Sequence, residues 1–398
     1  MSVIPARLAN RILMYFRPAS FSSFKASVGS VRKPQNLRAR SCTTTFRVSF
    51  INKIVLLLFP LILNALMPAF GRSVTQIALD ESPSRNERLS AAARQEGSLL
   101  LYTTTPVEYM KILTEEFERK SGVKVIIWRS RSENVLQRII TEAQSGHSIF
   151  DVAQSISPSM EALHREKLLQ EVKSPYFKDL IPAAIPAHKE WVATLLYVFV
   201  QAYNTNKVKK QDLPKTYADL LDPKWKGRLG IESSDHEWFY TIVKDMGEEK
   251  GLKFFRDLVA TNGLSARTGH PLLTNLVASG EVPLALTVYN YMPEQLKQKG
   301  VTIDWFAIEP AIAIPDGMGI SKNAPHPHAA VLFYDYMLSE DAQKLLAKIG
   351  YVPTNKKVES PLQKTQIKLL DPATLLDESD KSTRLYEEIL IKRGAPKT

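Results

Sequence analysis

Three groups of residues in this chain are of types that bind small solutes, and each stands where an apolar run gives way to a helical pattern. Thr103-Thr104-Thr105-Pro106-Val107-Glu108 follows the run over 98–102, with Thr at an N-cap, Pro at the first helical position and Glu three residues after the cap. A helix opening there turns free N–H groups and the positive end of its dipole toward an anion or polar ligand group. The alternative keeps Thr105 as a plain cap and Thr103 and Thr104 as solvated loop residues, and the two readings weigh equally. Arg129 and Arg131 follow directly on the run over 123–128, close in topology to the threonine loop. Their guanidinium groups present a planar fork to phosphate or carboxylate, or else decorate a solvated strand end. Tyr289 and Tyr291 follow the run over 282–288, placed to stack on such a ligand or to donate hydrogen bonds to it. The alternative for Tyr291 is a packing tyrosine.

Other reactive types form no comparable pattern. His147, His164, His188, His236 and His270 lack ligand spacing such as H-E-x-x-H, and His326-Pro327-His328 reads as a loop opening a helix. Ser233-Ser234-Asp235-His236 gathers the residue types of a hydrolase triad, but neighbours in sequence rarely converge that way and no nucleophile elbow surrounds them. That stretch reads as a polar loop capping a helix near Glu237. No Gly-rich phosphate loop of P-loop or dinucleotide type occurs. The expectation is a binding protein and not an enzyme.

The elements that must position these residues alternate. Strand patterns over 98–102, 123–128 and 150–153 are each followed by a helical pattern, which implies parallel pairing in an α/β layer with the ligand at the carboxyl ends of the strands. The mostly apolar run over 191–205 suits a crossing from one lobe to another. A second compact region holds helices over 237–246 and 251–261, a strand over 282–288 and a short helix over 293–299. Apolar strands around 303–308 and 311–314 read as a return to the first lobe. Helices over 329–337 and 341–349 follow, with a polar-faced helix over 379–391 expected to pack over that first lobe.

Charge and leader bound the class. The net charge is +11, but ten Lys and Arg lie before residue 54 with no Asp or Glu among them, so the remainder carries 42 basic against 41 acidic residues. A nearly neutral body is no footprint for nucleic acid. The uncharged run over 54–71 contains Pro60 and Pro68, which leave it short of the roughly 20 apolar residues of a spanning helix. It closes with Ala69-Phe70-Gly71 and reads as a secretory signal peptide cleaved near Gly71. The single cysteine, Cys42, lies ahead of that run, so the exported body has none and thiolate metal sites and cysteine nucleophiles drop out.

Tyr203-Asn204-Thr205, Pro214-x-Thr216, Asp219-Leu220-x-Asp222-Pro223-Lys224-Trp225-Lys226-Gly227 and Ala324-Pro325-His326-Pro327-His328-Ala329-Ala330 occur in one order along the chain. In that order they resemble the bacterial extracellular solute-binding proteins of the ferric-iron-binding type, over 97–358. The resemblance implies a type II periplasmic-binding fold, two α/β lobes joined by crossover hinge strands. It implies the periplasmic component of an ABC importer, a monomer whose partners are a small-molecule or metal ligand and a permease with its ATPase. The corresponding divisions are a leader and signal peptide at 1–71, a polar segment at 72–96, a first lobe from 97–204 and 301–398 with the terminal helix, and a second lobe at 205–300. Iron-binding members hold the metal with two adjacent tyrosines opening a second-lobe helix, in some assisted by a His after the first strand and a Glu in the second helix. Here the pair reads Tyr289-Asn290-Tyr291, the His position falls on Pro106, and Glu142 matches the acidic position. For Fe³⁺ as transported ligand the resemblance therefore implies Tyr289, Tyr291 and Glu142, since a hard cation takes oxygen donors. For a phosphorylated or carboxylated metabolite the candidates are Thr103, Thr104, Thr105, Arg129, Arg131, Tyr289 and Tyr291.

Overall fold

The strands and helices expected over 98–165 occur in the order their apolar periodicities predict, while the helices before residue 98 and the elements over 229–232, 265–267 and 270–279 are additional. The computed structural model describes residues 73–360, 362 and 364–392, so the leader and signal peptide lie outside the described residues. The polar segment before the first strand is helical, α1 (Val74–Ala78) and α2 (Arg85–Glu96). There follow β1 (Ser98–Thr103), α3 (Val107–Ser121), β2 (Lys124–Arg129), α4 (Ser132–Gln144), β3 (Val152–Ile156), α5 (Ser157–Arg165), β4 (Leu169–Gln170) and the long β5 (Trp191–Asn204). The next region comprises β6 (Leu229–Glu232), α6 (His236–Met246), α7 (Glu248–Asn262), β7 (Ser265–Arg267), α8 (His270–Ser279), β8 (Leu284–Tyr289), α9 (Tyr291–Gln298) and β9 (Ile303–Phe306). The chain ends through β10 (Ala311–Ser321), α10 (Pro327–Leu338), α11 (Glu340–Ile349), β11 (Val352–Pro353), β12 (Ile367–Leu369), α12 (Pro372–Asp377), α13 (Ser379–Tyr386) and a π-helical turn, Glu387–Ile391. Among the described residues no helix is long and apolar enough to cross a membrane.

These strands make two sheets that share β5. In the first, β1 lies parallel to both β2 and β3, and β10 runs antiparallel to β3 and to β5 from Trp191 to Val198. In the second, β6 lies parallel to β7 and β8, while β8 and β9 run antiparallel to β5 from Phe199 to Asn204. All of β5 is buried, because layers cover both of its faces, which is why its sequence is apolar without alternation.

Two placements differ from expectation. The strand around 303–308 does not return to the first lobe: β9 pairs with Gln201–Asn204 and its Trp305 Nε1 donates to Glu294 Oε2 on α9 at 2.7 Å, so only β10 returns. The terminal helix does not cover the first lobe either. Tyr386 of α13 packs edge-on against Phe239 of α6 and donates its hydroxyl to the Glu232 carbonyl, while His236 Nδ1 meets Ser382 Oγ at 3.2 Å. The helical period marks a buried face at Ser382 and Tyr386, but the partner of that face is 140 or so residues away in sequence and leaves no local signature.

The β5–β10 ladder shifts register between Asp316 and Gly317. A Cβ at Gly317 would come within 2.8 Å of Met160 Cγ and Trp191 Cε3, so glycine is required there. Asp316 is fully buried; Gln154 Nε2 donates to its Oδ2 at 2.7 Å, and its Oδ1 has no partner. Burial pushes its carboxyl up to about 7. An unfolded Asp releases its proton near 3.9, so between these values the folded chain holds more protons and this group's contribution to stability falls as pH rises. Urea unfolding at pH 5 and pH 8 is expected to show Asp316→Asn removing roughly 3 kcal/mol of that decline; an identical decline in both proteins refutes the assignment.

Candidate functional site

Strand β8 ends at Tyr289 and α9 begins at Tyr291, with Asn290 already near helical dihedrals (φ −48°, ψ −38°). Asn290 is buried and its Nδ2 donates to the Gly350 carbonyl at 3.0 Å, which pins the turn to the other lobe. The Tyr289 ring stacks on His270 at 4.1 Å between centroids and on Tyr197 of β5 at 4.9 Å. The Tyr291 ring meets Tyr351 at 4.5 Å and the edge of Tyr109 at 5.9 Å. Five tyrosines thus converge: Tyr109 of α3 and Tyr351 after α11 from the first lobe, Tyr289 and Tyr291 from the second, and Tyr197 from the strand both sheets share.

Sequence reading named only Tyr289 and Tyr291 of these. Tyr109 sits at helical spacing among core positions and Tyr197 inside an unbroken apolar run, so neither stood apart from its surroundings. Tyr109 donates to Gln295 Oε1 at 2.7 Å, the Tyr197 hydroxyl lies 3.5 Å from Thr105 Oγ1, and the Tyr351 hydroxyl is buried without a partner. Burial pushes the phenols of Tyr197, Tyr289, Tyr291 and Tyr351 above the ordinary tyrosine range. At neutral pH they are uncharged.

A carboxylate and imidazole cluster adjoins Tyr289 at the carboxyl ends of β6 and β7. Glu232 Oε1 accepts the Gly269 N–H at 2.8 Å, and its Oε2 accepts the Ser234 hydroxyl at 2.7 Å. Asp235 Oδ1 lies 3.1 Å from His270 Nε2, and Asp235 Oδ2 is buried with no partner. Donor atoms of Glu232, Asp235 and His270 all fall within 4.8 Å of one another. Burial disfavours the His270 imidazolium, but Asp235, with Glu232 and Glu237, outweighs it and raises the ring above its ordinary range. The polar loop expected to cap the helix near Glu237 places Asp235 at the N-cap of α6, but Asp235 makes no capping bond. The signal available in sequence is positional, since Asp235 and His270 follow second-sheet strands as Thr104 and Thr105 follow β1.

On the first lobe the threonine loop holds together internally. The N-cap of α3 is Pro106, with no side-chain capping bond, so the capping box expected of Thr105 and Glu108 does not form. Thr103 Oγ1 instead accepts the Thr105 N–H at 3.1 Å and donates to Gln154 Oε1 at 3.1 Å. Thr103 and Thr105 are buried, and Thr104 Oγ1 is buried with no partner. Arg129 Nε donates to the Thr104 carbonyl at 3.3 Å, and the guanidinium charge reaches Tyr197 and Tyr291. Arg131 is exposed and lies 3.7 Å from Glu133, in solvent.

Glu142 does not join the tyrosines. Tyr102 donates to it at 2.6 Å and Arg138 at 2.8 Å, beside Trp128 and Phe150. Tyr102 and Thr103 are neighbours on β1 and point to opposite faces of the sheet, so a partner of Tyr102 is directed away from the Thr103 side. Asp151 is likewise structural, accepting the Leu100 N–H at 2.7 Å and pairing with His326. His326 and His328 pair with different carboxylates, Asp151 and Glu96, at the opening of α10.

The family profile described as bacterial extracellular solute-binding protein matches residues 149–372. Iron uptake protein A1 of Synechocystis is 27% identical over 290 residues, covering 67% of this chain and 80% of that protein. The major ferric iron-binding protein of Neisseria meningitidis serogroup B is 25% identical over 326 residues, covering 76% and 96%. Iron-bound HitA from Pseudomonas aeruginosa superposes with a TM-score of 0.65 at 25% identity, over 73% of this chain and 99% of that one. AfuA from Actinobacillus pleuropneumoniae, with fructose-6-phosphate bound, shares the fold with a TM-score of 0.64 at 22% identity, over 74% and 99%.

The Asp235–His270 pair has a direct readout. In a histidine NMR titration the His270 ring is expected to hold its proton above the ordinary value of about 6.5, and Asp235→Asn is expected to move it below. If the substitution leaves the His270 titration where it was, the pairing is wrong.

Proposed function

We propose that this chain, which belongs to the bacterial extracellular solute-binding protein family, captures ferric iron between its two lobes in the periplasm and delivers it to a membrane permease driven by a separate ATPase. The observation that carries the reading is the convergence of five tyrosines from both lobes and the shared strand beside His270 and Asp235. Phenolate, carboxylate and imidazole donors suit a hard trivalent cation. A cation of that charge displaces phenolic protons that burial otherwise keeps in place, so uptake releases protons. Tyr289 and Tyr291 are the second-lobe ligands in this reading, and Asp235 and His270 take the place expected of Glu142. The relatives are named for iron binding and uptake, which supports it. Delivery follows an export step in which the signal peptide is removed near Gly71.

Closure follows from the same geometry. A ligand held by groups on both lobes has more contacts in the closed state than in the open one, and that difference in affinity is what shifts the population.

A phosphorylated or carboxylated metabolite is the second reading, favoured by Arg129 beside the unpartnered Thr104 hydroxyl at the mouth of the tyrosine cluster. An absorbance titration with ferric citrate separates the two. A visible tyrosinate-to-iron charge-transfer band is expected, weakened at least tenfold in affinity by Tyr291→Phe and by Asp235→Asn. No band, together with a rise in thermal midpoint on adding a sugar phosphate that Arg129→Ala abolishes, overturns the iron reading in favour of the anion.

A further inference from the structure

Away from the tyrosine cleft, the first lobe assembles a second group of metal-ligating side chains. Glu161 and His164 stand at i and i+3 on α5, on one face of the helix. His188 and Glu190 come from the loop leading into β5, where the intervening Lys189 takes a left-handed φ of 54°, uncommon for a residue with a side chain. The two imidazole rings stack at 3.6 Å with an interplanar angle of 11°. His164 Nδ1 lies 2.8 Å from Glu190 Oε2, and His188 Nε2 lies 3.6 Å from Glu161 Oε2. One donor atom from each of His164, His188 and Glu190 fits within a 4.8 Å span.

We propose that His164, His188 and Glu190, with Glu161 as a fourth donor, bind a divalent transition cation of the Zn²⁺ type at a site distinct from the solute cleft. Imidazole with carboxylate is the donor set of such ions, whereas Ca²⁺ and Mg²⁺ select oxygen alone. Two rings stacked face to face repel when both are protonated, and because each nitrogen lone pair lies in its own ring plane, an ion shared by both requires one ring to turn out of the stack about its side-chain torsions. Burial first, then the His164 charge, holds His188 below the ordinary imidazole range, so its ring is a neutral ligand at pH 7. His188 Nε2 is buried with no hydrogen-bond partner. Its Nδ1 accepts the Glu190 N–H at 3.0 Å, so coordination through Nε2 moves the ring proton to Nδ1 and gives up that one neutral bond. Arg165, which donates to Glu161 Oε1 at 3.1 Å, holds that carboxylate toward the group.

The position assigns the site a structural role. Glu190 immediately precedes β5, so a cation shared with α5 would fasten the helix to the start of the strand that crosses between lobes. Tyr197 lies seven residues beyond Glu190 along an extended strand, about 23 Å away, so the site is independent of the cleft and of the ligand it takes.

Cobalt(II) titration of the purified, chelator-stripped protein tests this by its visible d–d spectrum. One saturable site in the micromolar range is expected, displaced by Zn²⁺ and weakened at least tenfold by His164→Ala and by His188→Ala. Tyr289→Phe is expected to leave it unchanged. Circular dichroism in chelator establishes that each variant is folded; Glu190→Gln, close to isosteric, is the check should a histidine variant misfold, and it too is expected to weaken cobalt binding. Absence of micromolar binding in the wild type, or wild-type affinity in folded His188→Ala or Glu190→Gln protein, overturns the site.

Discussion

Everything in this fold depends on one strand serving two sheets. The amino-terminal half of β5 pairs with β10 and its carboxyl half with β8 and β9, so the backbone groups of a single fourteen-residue element satisfy both lobes. A strand buried on both faces admits few polar side chains without a partner: Gln201 donates to the Leu286 carbonyl and accepts the Ile308 N–H, and the Trp191 indole N–H at the strand's start is buried without one. Because the same strand belongs to both lobes, each can rotate about it without losing its own ladder, and a side chain on it at the junction, Tyr197, belongs to neither lobe alone.

The cleft built around that residue stores polarity without charge. Phenols are the least acidic oxygen donors a protein has apart from hydroxyls, and burial raises them further. The tyrosines therefore pack as aromatics against one another, contributing the area and edge-to-face contacts of a core, while their oxygens remain available to a ligand strong enough to take the proton's place. The neighbouring carboxylates differ in their bonding: both oxygens of Glu232 accept from backbone and hydroxyl donors, while Asp235 keeps one oxygen buried and unpartnered next to His270. An acceptor left unsatisfied inside a well-bonded loop is costly unless something binds it.

Legibility in the sequence follows the range of the interaction. The threonine loop, the two arginines and the Tyr289-Asn290-Tyr291 turn were visible because each sits at the end of a local strand pattern. Tyr109 and Tyr351 were not, since a tyrosine at helical spacing or beside a glycine looks like any packing residue until the other lobe is present. Glu142 illustrates the reverse case. Its position in the second helix matched the acidic ligand of the resembling family, but Arg138 one turn earlier and Tyr102 on the adjoining strand engage it first.

What the sequence by itself determined is what nearest neighbours along the chain decide: the alternation of period 2 and period 3.6, the length and unbroken burial of the crossing strand, the near-neutral body, and the family to which the DPKWKG and APHPHAA stretches point. Tertiary structure decided the rest. It sent β9 to the second sheet and α13 onto α6, because an amphipathic face specifies that it be covered and not by what. It also chose the ligand donors, bringing Asp235 and His270 to Tyr289 from loops more than thirty residues apart. Backbone periodicity is a local property and can be read in order; a binding site is a coincidence of distant strand ends, set only when the sheets have formed.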